Sequence, residues 1–496
     1  MKKAHAKKEA AGSAKSVAKK ARPVKKVKVP KVAAAALEGL EPVHAHAAGI
    51  DVGGHENFVA VPAHVIKPGE STVRSFGVFT ADQDALVEWL QACQITTVAM
   101  EATGIYWMAL YDKLEAKGLE VVLVEPRSVK QVPGRKSDVL DCQWLQKLHT
   151  YGLLSGSFRP EESIRRLRTL TRHRLELVQD GATCLQHIEK ALVQMNLQLH
   201  LVVSDIQGET GMRILEAILQ GQHDPKELVK LRDPRCKKST LAEMEAGLKG
   251  HYLEELLFIV GQALENWKHY QKQVAACDQQ IEVALAAVPT AKAATLPVPP
   301  KPVPPAPATK QEKKLAPQRG NAVNLDPGKL KAQLQRVCGV DLMNICGLGL
   351  TSVLMLIAEI GLDMSRWRNA KAFCSWLGLC PGAKISGGKV LSRRTRKVVN
   401  RASVILRVAA LAAGRTDTWL GRFYRRKKAH LGAPKAVTAT ARKMACVVYH
   451  MLKYQEDFVP LDIAVYELKA AEARQRRLRR EAQEAGFELV AIKQLA

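Results

Sequence analysis

Apolar positions along this chain change rhythm several times, and each change marks an element boundary. Between residues 44 and 156 short apolar runs alternate with amphipathic stretches. AHAAGIDV, then NFVAVPA after the turn Gly53-Gly54-His55-Glu56, then TVRSFGVF, predict three short strands with hairpin-like spacing. Residues 84–92 read as helix, TTVAME as a buried strand, 106–117 as helix and EVVLVEP as another buried strand, followed by the amphipathic stretch KSDVLDCQWLQKL. From about 160 to 285 the strand signal disappears. Ile164, Leu167, Leu170, Leu185, Ile188, Leu192, Met195 and Leu199 recur at helical spacing, and a second long helix over 252–288 completes an antiparallel pair, either a coiled-coil dimerisation arm or a hairpin within one chain. Residues 330–458 are apolar, basic and helical in pattern, and a last helix over 464–485 carries the charged run RQRRLRR, by default a solvated face.

Two segments have no such rhythm. Residues 1–45 open with twelve Lys/Arg between Lys2 and Lys31 and Glu9 as the one acid, the composition of a disordered basic arm. Between Pro289 and Pro327 lie ten prolines in a Val/Ala/Lys background, a polyproline-II spacer. The expected organisation is therefore a basic arm (1–45), an α/β catalytic domain (46–158), a helical coiled-coil region (159–288), a proline-rich linker (289–329), a helical C-terminal domain (330–460) and a basic C-terminal helix (461–496). In the α/β part, three meandering strands followed by strand and helix in alternation is the order of a ribonuclease-H-like mixed sheet.

Charge narrows the partner. A formal net charge of +27 over 496 residues points to a polyanion, with DNA or RNA first. No apolar stretch of about 18 residues and no signal peptide is visible, so the expected location is cytoplasmic and nucleoid-associated. The ten cysteines include no C-x-x-C pair, which argues against a zinc ribbon and a disulfide framework.

Candidate chemistry sits at the strand ends. Asp51 closes AAGIDVGG, Glu101 closes TTVAMEATG, and Asp138 and Asp141, three apart, project from one face of the helix that follows. Four carboxylates in D…E…D-x-x-D order suit Mg²⁺ or Mn²⁺, which take hard oxygen ligands, and two such ions can clamp the attacking and leaving oxygens of a phosphodiester. Asp138 also suits a helix N-terminus, where the dipole favours an acid. Glu125, in VEP at the next strand end, is a rival fifth acid by spacing alone.

A second signal lies downstream. In CSWLGLCPGAKISGGKVLSRRTRKVVNRASVILRVAAL a Ser-Gly-Gly turn, Ser386 to Gly388, is bracketed by Lys384 and Lys389. From Lys384 to Arg401 there are seven basic residues (Lys384, Lys389, Arg393, Arg394, Arg396, Lys397 and Arg401) and no acid. A serine in such a field can meet a phosphate backbone and, deprotonated, attack phosphorus; Ser-Gly-Gly is also an ordinary turn. Upstream, LMNICGLGLTSVLMLIAEIG reads as helix, Gly-Leu-Gly turn, helix, the pattern of a backbone-binding helix-hairpin-helix or of a plain corner.

GIDVGG, MEATGIYW, KSDVLDCQWL and WLGLCPGAKISGGK followed by RTRKVVNRASVILRVAAL resemble the motifs of the DEDD transposases of the insertion-sequence-110 family, including its 1111 subgroup, in the right order over most of 45–200 and 335–458. The resemblance implies a RuvC-like domain, a coiled-coil linker and a C-terminal transposase domain with a serine nucleophile. Carried onto this chain, Asp51, Glu101, Asp138 and Asp141 would bind the metal and Ser386 would attack. It implies a noncoding guide RNA and a homo-oligomer, dimer or tetramer, as further partners. The lysine-rich arm and the proline insertion depart from the family pattern without breaking a motif. The expected function is a DNA transposase or recombinase, the alternative a metal-dependent Holliday-junction-type endonuclease that uses water. A catalytically dead nucleic-acid-binding protein is the third option, against which the intact acids argue.

Overall fold

The computed structural model describes residues 39–126, 137–291, 322–382, 384–392, 394–395 and 400–490, together with a two-residue strand, Arg22–Pro23. It divides into two compact units, residues 1–159 and 160–496.

The first unit is a mixed sheet with helices on both faces. Strands β1 (Ala47–Val52), β2 (Glu56–Ala60) and β3 (Val73–Gly77) form an antiparallel meander, and β4 (Thr97–Glu101) and β5 (Glu120–Val124) lie parallel to β1, giving the order β3-β2-β1-β4-β5. Helices α1 (Thr80–Ala92), α2 (Trp107–Ala116) and α3 (Asp138–Thr150) complete it. Period-two alternation decides which residue meets which layer. Ala48, Ile50 and Val52 of β1, with Val98 and Met100 of β4, pack on Leu86, Leu90, Leu110 and Leu114 of α1 and α2. Each fully buried Ile or Leu there contributes roughly 1.5–3 kcal/mol. On the opposite face Ala99 and Val124 meet Leu145, and Ala60 and Val73 meet Val139 and Cys142, all three from α3.

Arg22–Pro23 pairs antiparallel with β3, Arg22 opposite Ser75. This strand lies inside the segment expected to have no structure; an open edge strand offers unpaired backbone groups to any extended chain. The rest of residues 1–38, and 292–321 of the proline-rich linker, lie outside the described residues.

In the second unit α4 (Glu162–Gln194) and α9 (Glu254–Ala286) pack antiparallel within the chain, with the Cys277 thiol on the Leu170 carbonyl and Arg174 on Asp278. The Arg174–Asp278 pair is almost completely buried and fully bonded: Arg174 also donates to the Ala322 carbonyl, and Asp278 accepts from the Asn324 amide. Between the long helices the expectation of a bare hairpin is incomplete. Four short helices, α5 (Leu199–Val202), α6 (Glu209–Leu219), α7 (Pro225–Lys230) and α8 (Leu241–Gly247), make a tip with its own core, in which Ile214, Leu215, Leu228, Met244 and Leu248 close on Ile188 and Val260.

Helices α10 (Pro327–Cys338), α11 (Leu350–Ile360), α12 (Ala370–Trp376), α13 (Arg401–Gly414), α14 (Trp419–Leu431) and α15 (Ala433–Tyr454) form the C-terminal bundle. Helix α10 begins three residues earlier than expected because Asp326 caps it, accepting from the Lys329 amide, with Pro327 in its first turn. Of the two readings of residues 342–361, helix-hairpin-helix or plain corner, the first is not formed as such. Its first helix is a 3₁₀ turn, Leu342–Asn344, and Gly347 is there for packing, since a Cβ on it would stand 2.3 Å from the Ala409 carbonyl of α13. Arg168 and Arg172 of α4 hold the end of α11 through the Ala358 and Glu359 carbonyls and a bidentate bond to the Glu359 carboxylate. The last helix, α16 (Ile463–Glu484), has no buried residue. All ten cysteines are free and none is exposed. Among the described residues no helix is long and apolar enough to cross a membrane.

Candidate active site

Asp51 reaches the α3 face of the sheet because Ile50 and Val52 on either side are committed to the other core. Glu101 shares that face. Strands β1 and β4 are parallel with Ile50 opposite Met100, so Asp51 and Glu101 occupy the next register position on neighbouring strands. Glu101 lies opposite Val124 of β5, whose side chain packs against α3. Asp138 and Asp141 are in the first turn of α3, where Ser137 caps the helix by accepting from the Leu140 amide. The dipole of that turn favours both carboxylates.

What brings the helix acids to the strand acids is a glycine. A Cβ on Gly49 would stand 2.3 Å from the Gln146 amide nitrogen and 2.5 Å from the Cys142 carbonyl oxygen, so the backbone of α3 lies directly on β1 two residues before Asp51. Asp141 immediately precedes Cys142, and the contact fixes it near the strand's end. Glycine inside a buried strand commonly marks such an approach.

The charges register one another. The Asp51 carboxyl is pushed up to about 7, first by burial and then by repulsion from Glu101, Asp138 and Asp141. Glu125, exposed beyond the end of β5, is not among the charges that raise it. Among the described residues no group of three or more acid, His or Cys side chains is drawn up ready to hold a metal ion. The backbone brings Asp51 within repelling range of Glu101, Asp138 and Asp141, and the donor set is the hard-oxygen kind. His149, further along α3, contacts the Thr97 hydroxyl at 2.8 Å and is pushed down to about 4 by burial and by His44, so it is neutral at neutral pH.

Ser386 belongs to the second unit. The segment expected to be helical with a turn contains a β-ribbon instead: β6 (Lys384–Ser386) and β7 (Lys389–Ser392) pair antiparallel, with Ser386 opposite Lys389. Gly387 and Gly388 both have positive φ, +54° and +74°, the requirement of a tight two-residue hairpin turn. Ser386 is the last strand residue before the turn, and an isolated bridge between Pro381 and Thr395 extends the ribbon. Ser386, Lys389 and Arg394 are exposed, as is Arg401 at the start of α13, capped by Asn400. Arg393, Arg396 and Lys397 lie outside the described residues.

Two comparisons bear on the class of protein this is. Residues 48–197 match the family model of the DEDD transposases of IS110, and residues 340–425 match the transposase IS116/IS110/IS902 family. The first match takes in the four acids, the second the ribbon with Ser386. The chain belongs to the IS110 family of transposases, whose class of activity is DNA transposition and recombination. No curated protein matches it.

Proposed function

We propose that the protein excises and inserts its DNA element by metal-assisted strand cleavage and exchange through a serine nucleophile. The observation that carries this reading is the Asp51 carboxyl, held at about 7 by burial and three other carboxylates on one face of the sheet. Such repulsion stabilises nothing in the fold, and clusters of this kind belong to functional sites. The order β3-β2-β1-β4-β5, with a meander followed by parallel strands, supports an RNase-H-like, RuvC-like domain.

Asp51, Glu101, Asp138 and Asp141 would hold Mg²⁺ or Mn²⁺, two ions in this reading. When bound, the metal supplies Lewis-acid activation of the scissile phosphate and charge stabilisation of its oxygens. Ser386 Oγ attacks phosphorus; the bond to the 3′-oxygen breaks, that oxygen takes up the proton, and a phosphoserine conserves the energy of the cleaved ester. A free 3′-hydroxyl of another strand then attacks the phosphoserine and returns the serine hydroxyl. Gly387 and Gly388 let the ribbon tip approach a backbone, while Lys384, Lys389, Arg393, Arg394, Arg396, Lys397 and Arg401 offset phosphate charge. The family resemblance adds a noncoding guide RNA, and the +27 charge is compatible with holding both RNA and DNA. A homo-oligomer in the cytoplasm, associated with the nucleoid, completes the reading.

The test is a covalent one. Wild-type protein trapped on a substrate that blocks the second step should carry a DNA strand, stable to denaturant and mapping to Ile385-Ser386-Gly387, and Ser386→Ala should lose adduct and recombination together. Continued cleavage by Ser386→Ala, with no adduct in the wild type, would leave a water-using junction endonuclease in its place.

A further inference from the structure

The loop after Glu101 exposes more apolar surface than a solvent-facing turn requires. Ile105 is 72% exposed and Tyr106 56%, with Met108 of the adjoining first turn of α2 at 46%. The loop is nevertheless braced. At its start the Ala102 amide donates to the Val124 carbonyl at 2.9 Å and the Thr103 hydroxyl to the Glu101 carboxylate at 3.2 Å. At its end Trp107 Nε1 donates to the Gly104 carbonyl at 3.2 Å, and the Trp107 ring meets Tyr111 edge to face at 5.8 Å. The Arg159 guanidinium lies over both rings, tied to Asp112 at 2.5 Å and Glu115 at 3.4 Å. Tyr106 itself rests against two glycines: a methyl on Gly54 would stand 3.5 Å from its Cζ, and one on Gly104 3.6 Å from the other edge of the ring. Gly54 belongs to the turn after Asp51 and Gly104 to the turn after Glu101, so the ring spans the two loops that leave the strand-end acids.

We propose that Tyr106, flanked by Ile105, is a stacking platform for the nucleobase next to the scissile phosphate, a positioning residue that seats the DNA strand over the acid cluster. The proposal rests on the reading of the four acids as the cleavage centre. Acids that serve a metal and a phosphate offer nothing to the base beside that phosphate, whereas every base has an apolar face that can stack on an exposed aromatic ring. A nucleobase fits better than a protein partner. Two side chains on one short loop and a third in the first turn of α2 fall well short of the roughly 800 Å² that each side of a stable protein interface buries.

The experiment uses the full chain and a strand of the element's end carrying 2-aminopurine at successive positions. In an Asp51→Asn background, which keeps the strand uncut, one position adjoining the cleavage point should be quenched on binding. Tyr106→Ala should relieve that quench and Tyr106→Phe should keep it. In otherwise wild-type protein, Tyr106→Ala should lower kcat about five- to a hundredfold, the range of one lost base–aromatic stack, with a smaller change in KM and with rescue by Tyr106→Phe. Wild-type kcat and unchanged fluorescence in both Tyr106→Ala and the Ile105→Ala/Tyr106→Ala double variant would overturn the platform. If Asp51→Asn abolishes cleavage while Tyr106→Ala cuts normally, the platform alone falls. If wild-type protein with Mg²⁺ does not cut DNA yet the quench depends on Tyr106, the cleavage reading falls and the platform stands.

Discussion

Asp51 and Ser386 both stand at the ends of short strands, yet opposite kinds of structure hold them. Asp51 stands next to last in β1, an inner strand of the sheet, with an apolar core on one side and the backbone of α3 on the other. Ser386 ends a two-stranded ribbon whose tip is exposed, with Ile385, Val390 and Leu391 also in solvent. Isolated hairpins of this size are marginal by themselves, whereas a layered sheet resists local movement. The contrast teaches what each group has to do. Four like charges stay together only if rigid packing opposes their repulsion, and a nucleophile delivered to a DNA backbone needs reach and a small footprint.

The largest effect should come from removing the rigidity on the first side. Gly49→Val places side-chain atoms where the Gln146 and Cys142 backbone already is. The helix has to lift or the strand bend, at about 3 kcal/mol or more, the upper end of overpacking costs. Thermal unfolding of the full chain should show the first unit melting early, and strand cleavage should vanish. Wild-type melting in this variant would mean that α3 does not rest on β1. The corresponding insult to the ribbon, at Gly387, should leave global melting unchanged.

A smaller effect, with a defined pH window, separates charge from packing. The Asp51 carboxyl is at about 7 in the folded protein against 3.8 for a free side chain, so between about pH 4 and pH 7 the folded state holds a proton that the unfolded state has released. Stability from this group is fully present below about pH 4 and is lost as pH rises through 7. Asp51→Asn removes that dependence. The variant should melt at a temperature close to wild type at pH 4 and increasingly above it by pH 8, and Mg²⁺ at pH 8 should raise the wild-type midpoint more than the variant's. Strand cleavage by the variant should be lost while DNA binding is kept or slightly tightened. Parallel melting curves across the window, with no added Mg²⁺ response in the wild type, would remove the repulsive cluster from the account.

Much of the first unit was legible because alternation carries its own evidence. Ile50 and Val52 point one way, so Asp51 points the other, and the three-residue spacing of Asp138 and Asp141 holds on any helix. Glu125 falls just past the end of β5, where alternation no longer fixes a direction. Gly49 was passed over although its signal was present, a glycine inside a buried apolar run. Nothing local in AAGIDVGG says which helix would come that close. The ribbon was harder to see. Its strands are only three and four residues long, and they sit in a basic segment between helices where alternation has no room to accumulate. The tip of the helical arm was hidden for another reason: α5, α7 and α8 are only four to seven residues long, too short for helical periodicity to register, and the tip's core closes on side chains of α4 and α9 brought from far along the chain.

The smallest effect sharpens the second half of the comparison. Gly387 and Gly388 have φ of +54° and +74° and, around each, no atom near the place a Cβ would occupy. Space is therefore not the constraint; backbone conformation is. Alanine at either position costs about 1–2 kcal/mol in the left-handed region. The ribbon tip bears that cost alone, because no core depends on it. Gly387→Ala/Gly388→Ala should therefore melt like wild type and bind DNA with wild-type affinity, while phosphoserine formation slows by roughly thirtyfold or more as the tip loses its tight turn at about 2–4 kcal/mol for the pair. Replacing Gly388 alone should give the intermediate rate. Adduct formation at the wild-type rate in the double variant would show that Ser386 does not depend on this turn, and the serine would then have to be presented by some other conformation of residues 384–392.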